Sequence, residues 1–173
     1  YIRLAEMIDP AQKDLIQDAV DQQAVLNAMT VVDYEAVLAI KWKALKAVYA
    51  INGKRDLATP AFKQFFKDNQ AWLLPYSAFS YLRDLHGSVD FNAWPSHAKF
   101  NAAEIDQLAN LKSKTYSAIA FFYFVQFHLH LQLKAATDYA HAQGVVLKGD
   151  IPIGVYRFGA DAWQHPHLFH MDK

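Results

Sequence analysis

The sequence predicts a mostly α-helical chain with one β-strand near its C-terminal end. Two observations predict the helices: apolar residues recur every three or four positions, and the pairs Asp9-Pro10 and Thr59-Pro60 combine a cap with a helix-starting proline. A third observation predicts the strand, because residues 144–155 form a short apolar run bounded by Gly and Pro. No partner for this strand is visible elsewhere in the sequence, which indicates a piece of a larger fold.

Two helices and a connection are predicted for the first 58 residues. One helix begins at Pro10, and a second begins after Asp33 and ends at Asn52, with Gly53 as a left-handed terminator. Residues 54–58 are polar and are predicted to form the connection to the next helix.

Three helices, an irregular stretch and a long helix are predicted next. Thr59 starts a short helix, and a second one spans residues 76–86 after Pro75 and stops at Gly87. Residues 88–100 are predicted to be irregular and 102–111 helical, with Asn101 as the cap. A helix over residues 113–143, ending at Gly144, is long enough to be the spine of the fold, and a short helix is expected near Asp161.

Composition excludes several classes of function. With 173 residues and 53% hydrophobic content, the chain can bury a real core. Lys+Arg and Asp+Glu are equal at 17 each, so no charge excess points to nucleic acid or an anionic membrane surface. The absence of cysteine excludes disulfides and Cys-ligated metals. The first residues lack the pattern of a signal peptide and lack Met, so we expect a cytoplasmic protein and an excised piece.

Residues 115–133 carry no Asp, Glu, Lys or Arg and raise the question of a membrane span. The polar side chains of Gln126, His128, His130 and Gln132 would be costly in hydrocarbon, so a buried helix is the better interpretation.

The histidines do not form a recognisable metal site. His128 and His130 point about 200° apart on a helix, whereas two ligands on one helix face need a spacing of four. His165, His167 and His170 lie in an irregular segment without an acidic partner at ligand spacing. We therefore expect polar packing and surface roles, and no metal.

Known catalytic motifs are also missing, including phosphate-binding glycine loops and a nucleophile elbow. The aromatic clusters could stack on sugar rings, but their helical spacing favours a core.

Asp150 is the remaining candidate for a site residue. At the end of a buried parallel strand it could be a site residue of a barrel enzyme, or it could be a turn residue before Pro152. The residues alone leave these two alternatives open.

Three segments carry a resemblance to one enzyme family. They are Gln-Phe-His-Leu-His-Leu-Gln at 126–132, the run at 144–155 with Gly-Asp-Ile-Pro-Ile at 149–153, and Asp161-Ala-Trp163 followed by Pro166 and Leu168-Phe169. Together they resemble 4-alpha-glucanotransferases (amylomaltases) of glycoside hydrolase family 77. The similarity is sharp from about residue 113 onward and diffuse before it.

The resemblance implies a (β/α)8 barrel with inserted helices, acting on maltooligosaccharides or α-1,4-glucan without a cofactor. Residues 1–143 would be the helical insertion, and residues 144–173 the third barrel strand with its active-site loop. The implied mechanism is retaining double displacement, which needs two carboxylates about 5–5.5 Å apart. In the family the nucleophilic Asp, the acid/base Glu and a third, assisting Asp lie beyond the position matching Lys173, so this piece by itself is expected to be inactive.

The resemblance also assigns substrate-binding roles. Asp150 would line the substrate cleft, and Arg157 and Trp163 would belong to the loop that borders it. The segment at 156–160, Tyr-Arg-Phe-Gly-Ala, departs from the family's usual Arg-Asn-Ser form, which leaves the loop contacts open. The alternative from another class is a non-catalytic helical interaction module, and the sequence does not indicate an oligomeric state.

Overall fold

The computed structural model describes residues 2–150 and 154–170, and these are predominantly helical. Six α-helices follow one another in the chain: α1 (Gln17–Asn27), α2 (Tyr34–Leu57), α3 (Pro60–His86), α4 (Ala102–Leu108), α5 (Tyr116–Ala142) and α6 (Ala160–Gln164). Short 3₁₀ helices lie at Leu4–Met7, Pro10–Ile16, Phe91–Ala93 and Pro166–Leu168. None of the helices in the described part is long and apolar enough to cross a membrane.

Local cap signals predicted several helix ends correctly. Asp33 Oδ1 accepts a hydrogen bond from the Ala36 N–H at 2.9 Å and starts α2. Asn101 Oδ1 likewise accepts from the Ala103 N–H at 3.0 Å at the start of α4. Gly87 and Gly144, which follow α3 and α5, adopt φ values of 63° and 73°, a left-handed conformation that glycine tolerates best.

Gly53 does not end α2, so that prediction is wrong. The helix continues to Leu57, and the residues predicted as a polar connection form its last turn. A Cβ at Gly53 would collide with the Tyr49 ring, one turn earlier on the same helix. Glycine is therefore present because it lets the aromatic ring lie against the helix backbone, and not because the helix stops.

The break predicted at Pro75 is also absent, since α3 runs through it from Pro60 to His86. Proline removes one backbone donor, but neighbouring side chains hold the helix in place. Leu73, Ser77 and Ala78 around it are fully buried. Packing of this face outweighs the loss of one helical hydrogen bond.

No strand is present among residues 144–150 and 154–155, so the predicted β-strand is not seen in the described part of this stretch; residues 151–153 of the prediction lie outside it. The backbone of residues 145–150 carries no regular secondary structure, and the Val146 side chain is 85% exposed. A strand is stable only when a neighbouring strand accepts and donates its backbone hydrogen bonds, and the described part of the chain contains no strand that could do so. Residues 144–150 and 154–155 are exposed, so the burial predicted for this run is wrong for its described residues.

The chain divides into two compact units. The first comprises Tyr1–Lys63 and Phe124–Tyr139, and the second Gln64–Tyr123 and Ala140–Lys173. The predicted division at residue 144 stays a prediction.

In the first unit, one face of α2 is buried at the helical spacing of Leu45, Val48, Asn52 and Asp56. Residues of α5 complete this core, with the Phe124 ring 5.3 Å from Tyr49 and the Phe127 ring 5.5 Å from Phe62.

In the second unit, an aromatic core surrounds the C-terminal half of α3. Its buried members are Ala78, Phe79, Leu82, Phe91, Trp94, Ile105, Ala162 and Trp163.

Candidate functional site

Asp150 follows the exposed stretch after α5 and is itself exposed. It therefore lies where a ligand could reach it. Its predicted role in substrate binding stays a prediction.

Arg157 lies on the surface of the second unit beside an aromatic pair. Its guanidinium carbon is 5.3 Å from the centroid of the Phe158 ring, within the range of a cation–π contact. The Phe158 ring in turn contacts Tyr156 and Phe91 edge-on. This arrangement gives the Arg157 side chain a defined direction, and its substrate-binding role stays a prediction.

Trp163 lies inside the aromatic core and is only 1% exposed. Its indole N–H donates a hydrogen bond to the His97 backbone C=O at 2.9 Å, and its ring meets Phe100 edge-on at 5.1 Å. His97 has a φ of 60°, an uncommon conformation for a residue other than glycine, and this bond helps to hold it. Trp163 thus anchors α6 to the core, and its predicted contact with substrate stays a prediction.

A cleft in the first unit, lined by apolar and charged side chains, was missed by sequence reasoning. It has a volume of about 310 Å³ and is lined by the end of α2, the start of α3, the middle of α5 and the segment before Pro10. We call it the Asp56 cleft, lined by Glu6, Met7, Ile8, Asp9, Arg55, Asp56, Thr59, Ala61, Phe127, His128 and Leu131.

Two titratable side chains meet in this cleft. His128 Nε2 donates a hydrogen bond to Asp56 Oδ2 at 3.0 Å, and both side chains are nearly buried. Burial lowers the pKa of His128 more than the neighbouring Asp56 carboxylate raises it. The imidazole is therefore held as a neutral donor near pH 7, and the carboxylate as its acceptor.

Arg55 links Asp56 to the rim of the cleft. Its Nε donates to Asp56 Oδ1 at 2.8 Å and one terminal nitrogen donates to Asp9 Oδ2 at 2.9 Å. Two hydrogen bonds raise the pKa of Arg55 above its ordinary value. The bond to Asp56 has the larger effect and the bond to Asp9 the smaller one. One guanidinium thus bridges two carboxylates.

The sequence carried only weak signals of this cleft. Asp56 fell in a stretch predicted to be a connection, and its partner His128 is 72 positions away. His128 and His130 were predicted to point to opposite sides of the helix. This is confirmed, because His128 is buried and His130 is exposed. Across the described residues, no three His, Cys, Asp or Glu side chains cluster as a metal site would require.

The sequence matches the 4-alpha-glucanotransferase family, glycoside hydrolase family 77, over residues 1–173. This chain belongs to that family. A 4-alpha-glucanotransferase of rice (Oryza sativa subsp. japonica), named DPE2, is 36% identical over 172 residues, which is 99% of this chain and 18% of the rice protein. The enzyme of that name from Thermus thermophilus is 35% identical over 82% of this chain and 28% of its own length.

A third 4-alpha-glucanotransferase, from Clostridium butyricum, is 26% identical over 94% of this chain and 33% of its own length. The chain thus spans between 18% and 33% of these three relatives. No solved structure matches it. The family resemblance seen in the sequence is confirmed.

Proposed function

We propose that this chain is the helical part of a 4-alpha-glucanotransferase that transfers α-1,4-glucan segments between maltooligosaccharides. The observation that carries the proposal is the family match over the whole chain, together with curated relatives of that name that are several times longer. The transfer runs by retaining double displacement, with the paired carboxylates supplied from outside these 173 residues.

The chemistry of Asp56, the buried carboxylate among the residues that the structure describes, supports this assignment. A retaining nucleophile must be free to attack a sugar carbon, and its partner must carry a proton. Asp56 instead accepts hydrogen bonds from the Arg55 guanidinium and the His128 imidazole. These two donors occupy both carboxylate oxygens of Asp56, which suits a structural or binding role better than a nucleophilic one.

Asp150 is the residue of this chain that we assign to the substrate cleft of the parent enzyme. Its carboxylate is exposed and follows an exposed apolar run, so it can meet a glucan once the rest of the parent protein flanks that run. Arg157, aligned by Phe158, is assigned to the loop that borders the same cleft.

The proposal is tested by maltotriose disproportionation with the parent protein and with the 173-residue chain alone. We expect the parent to release glucose and the isolated chain to release none. Glucose release by the isolated chain would place the catalytic carboxylates within it. A parent protein that releases no glucose would instead favour a helical interaction module.

Substitution within the parent tests the assignment of Asp150. Asp150→Asn should lower transfer by about tenfold or more, because the oxygen that accepts from the sugar hydroxyl loses its charge and the hydrogen bond weakens. Asp161→Asn, on the exposed first turn of α6, is the matched control and should leave transfer nearly unchanged. Equal activity of the Asp150 variant and the wild type would remove Asp150 from the site.

A further inference from the structure

The Asp56 cleft offers polar groups of both kinds at its surface. Asp9 and Asp56 supply carboxylate acceptors, Arg55 supplies guanidinium donors, and His128 presents an imidazole in the wall. Polar groups that converge from two helices, α2 and α5, and an N-terminal segment on one small volume are typical of a binding site.

The cleft carries more negative than positive charge, because the carboxylates of Glu6, Asp9 and Asp56 and the single guanidinium of Arg55 line it. Arg55 pairs with Asp9 and Asp56, and Glu6 pairs with Arg3 at 2.8 Å. The remaining balance is slightly negative, so an anion such as phosphate would be repelled. An apolar ligand is also disfavoured, because it would strip water from the charged groups without replacing their hydrogen bonds.

A neutral polyhydroxylated ligand is neither repelled by the negative charge nor unable to replace the hydrogen bonds of water. A sugar hydroxyl can donate to a carboxylate and accept from a guanidinium N–H in the same site. The apolar side chains of Met7, Phe127 and Leu131, which also line the cleft, provide contacts for the C–H face of a sugar ring. A volume of about 310 Å³ lies at the small end of ligand pockets and suits a ligand of one sugar ring.

We propose that the Asp56 cleft binds one glucosyl residue of an α-glucan, held between the Arg55–Asp9 pair at the rim and the apolar wall formed by Phe127 and Leu131. The choice of glucose among neutral sugars rests on the proposed function. The site itself rests on the net charge, the paired donors and acceptors, and the volume of the cleft.

The test is a titration of the 173-residue chain with maltose, followed by the shifts of backbone amide signals in two-dimensional NMR spectra. We expect saturable shifts at Ile8, Asp9, Arg55 and Thr59. A second, apolar groove of about 450 Å³, lined by Ile16, Leu26, Val37 and others, serves as the internal reference. Shifts at that groove alone, or none at millimolar maltose, would overturn the proposal, and so would a larger response of the Asp56 cleft to inorganic phosphate.

Two variants sharpen the test. Arg55→Gln removes the rim donors and should weaken maltose binding about tenfold. Arg83→Gln is the matched control, because Arg83 also pairs with the next residue in the chain, Asp84, at 2.7 Å, but does not line the cleft. Equal weakening by both substitutions would contradict the proposal.

Leu131→Trp fills the cleft from a position that is 41% exposed, so it should block maltose without unfolding the chain. Unchanged maltose binding by this variant would overturn the site.

Failure of this proposal can be distinguished from failure of the proposed function. If the parent releases glucose from maltotriose but the chain does not bind maltose, only the proposed binding site in the cleft is wrong. Maltose binding in the cleft of a chain whose parent is inactive refutes the transferase alone.

Discussion

His128 on α5 donates a hydrogen bond to Asp56 on α2 across 3.0 Å, although 72 positions separate the two residues in the chain. Both side chains are nearly buried, and the same carboxylate is paired with Arg55. The contact couples the protonation of one imidazole to the packing of two long helices.

Stability should therefore depend on pH through His128. Burial lowers the pKa of His128 in the folded chain below its ordinary value of 6.5, so the unfolded chain takes up this proton first as the pH falls. The stability associated with the neutral imidazole is present above pH 6.5 and is lost as the pH falls toward the folded pKa. We expect urea denaturation to show a decreasing free energy of unfolding over that range.

His128→Gln should flatten this pH dependence, because the Gln side chain can donate to Asp56 without titrating. His130→Gln, on the exposed face of the same helix, is the matched control and should keep the wild-type profile. A His128→Gln variant with the same slope as the wild type would show that His128 does not control it.

A reciprocal amide pair should contribute measurably to stability. Gln12 and Asn52 donate to each other at 2.9 Å, and the Asn52 amide also donates to the Met7 C=O at 3.1 Å. Asn52 is 2% exposed, so Asn52→Ala leaves buried polar groups without partners and should cost roughly 1–3 kcal/mol.

A double-mutant cycle in urea denaturation checks this pair. The loss for Asn52→Ala combined with Gln12→Ala should be smaller than the sum of the single losses, because either substitution alone breaks the same contacts. Asn69→Ala, whose amide donates to Phe65 within its own helix, is the control and should cost less. Strict additivity would mean that the two amides act independently.

Gly53→Ala should destabilise the chain, although alanine is the better helix former by about 1 kcal/mol. The added methyl group would collide with the Tyr49 ring, which itself packs against Phe124. Overpacking of this kind costs roughly 1–3 kcal/mol and outweighs the gain in helix propensity.

The sign should reverse when the ring is removed. In a Tyr49→Ala background, Gly53→Ala is expected to raise the midpoint of thermal unfolding. A stabilising effect of Gly53→Ala in the wild-type background would contradict the close approach of Tyr49 to the helix.

Trp163→Ala should be among the most destabilising substitutions, with an expected loss of roughly 3–5 kcal/mol in urea denaturation. The residue fills the aromatic core and donates to the His97 C=O, so both a cavity and an unpaired carbonyl result. Trp72→Ala, at a position that is 45% exposed, is the control and should cost far less. Comparable losses for the two tryptophans would show that Trp163 is not part of a tightly packed core.

Helix starts and stops were predictable where the signal lies within a few residues. Asp33, Asn101, Gly87 and Gly144 act through their own side chains or their own φ, and the structure confirms them. Gly53 and Pro75 carry equally strong local signals, and both predictions are wrong, because the helix continues through each position. The Tyr49 ring lies against Gly53, and the residues around Pro75 are buried. The predicted strand is not seen in the described part of its stretch because strand formation requires a partner strand, which a local apolar pattern cannot supply.

The family could be recognised from the sequence alone, because short runs of residues, by their identity and order, are sufficient to identify it. The Asp56 cleft could not, since it exists only where α2, α3 and α5 meet. The imidazole of His128 becomes a neutral donor through burial among neighbours that are far away along the chain, Asp56 among them. Those neighbours, and the desolvation that they impose, are properties of the tertiary structure.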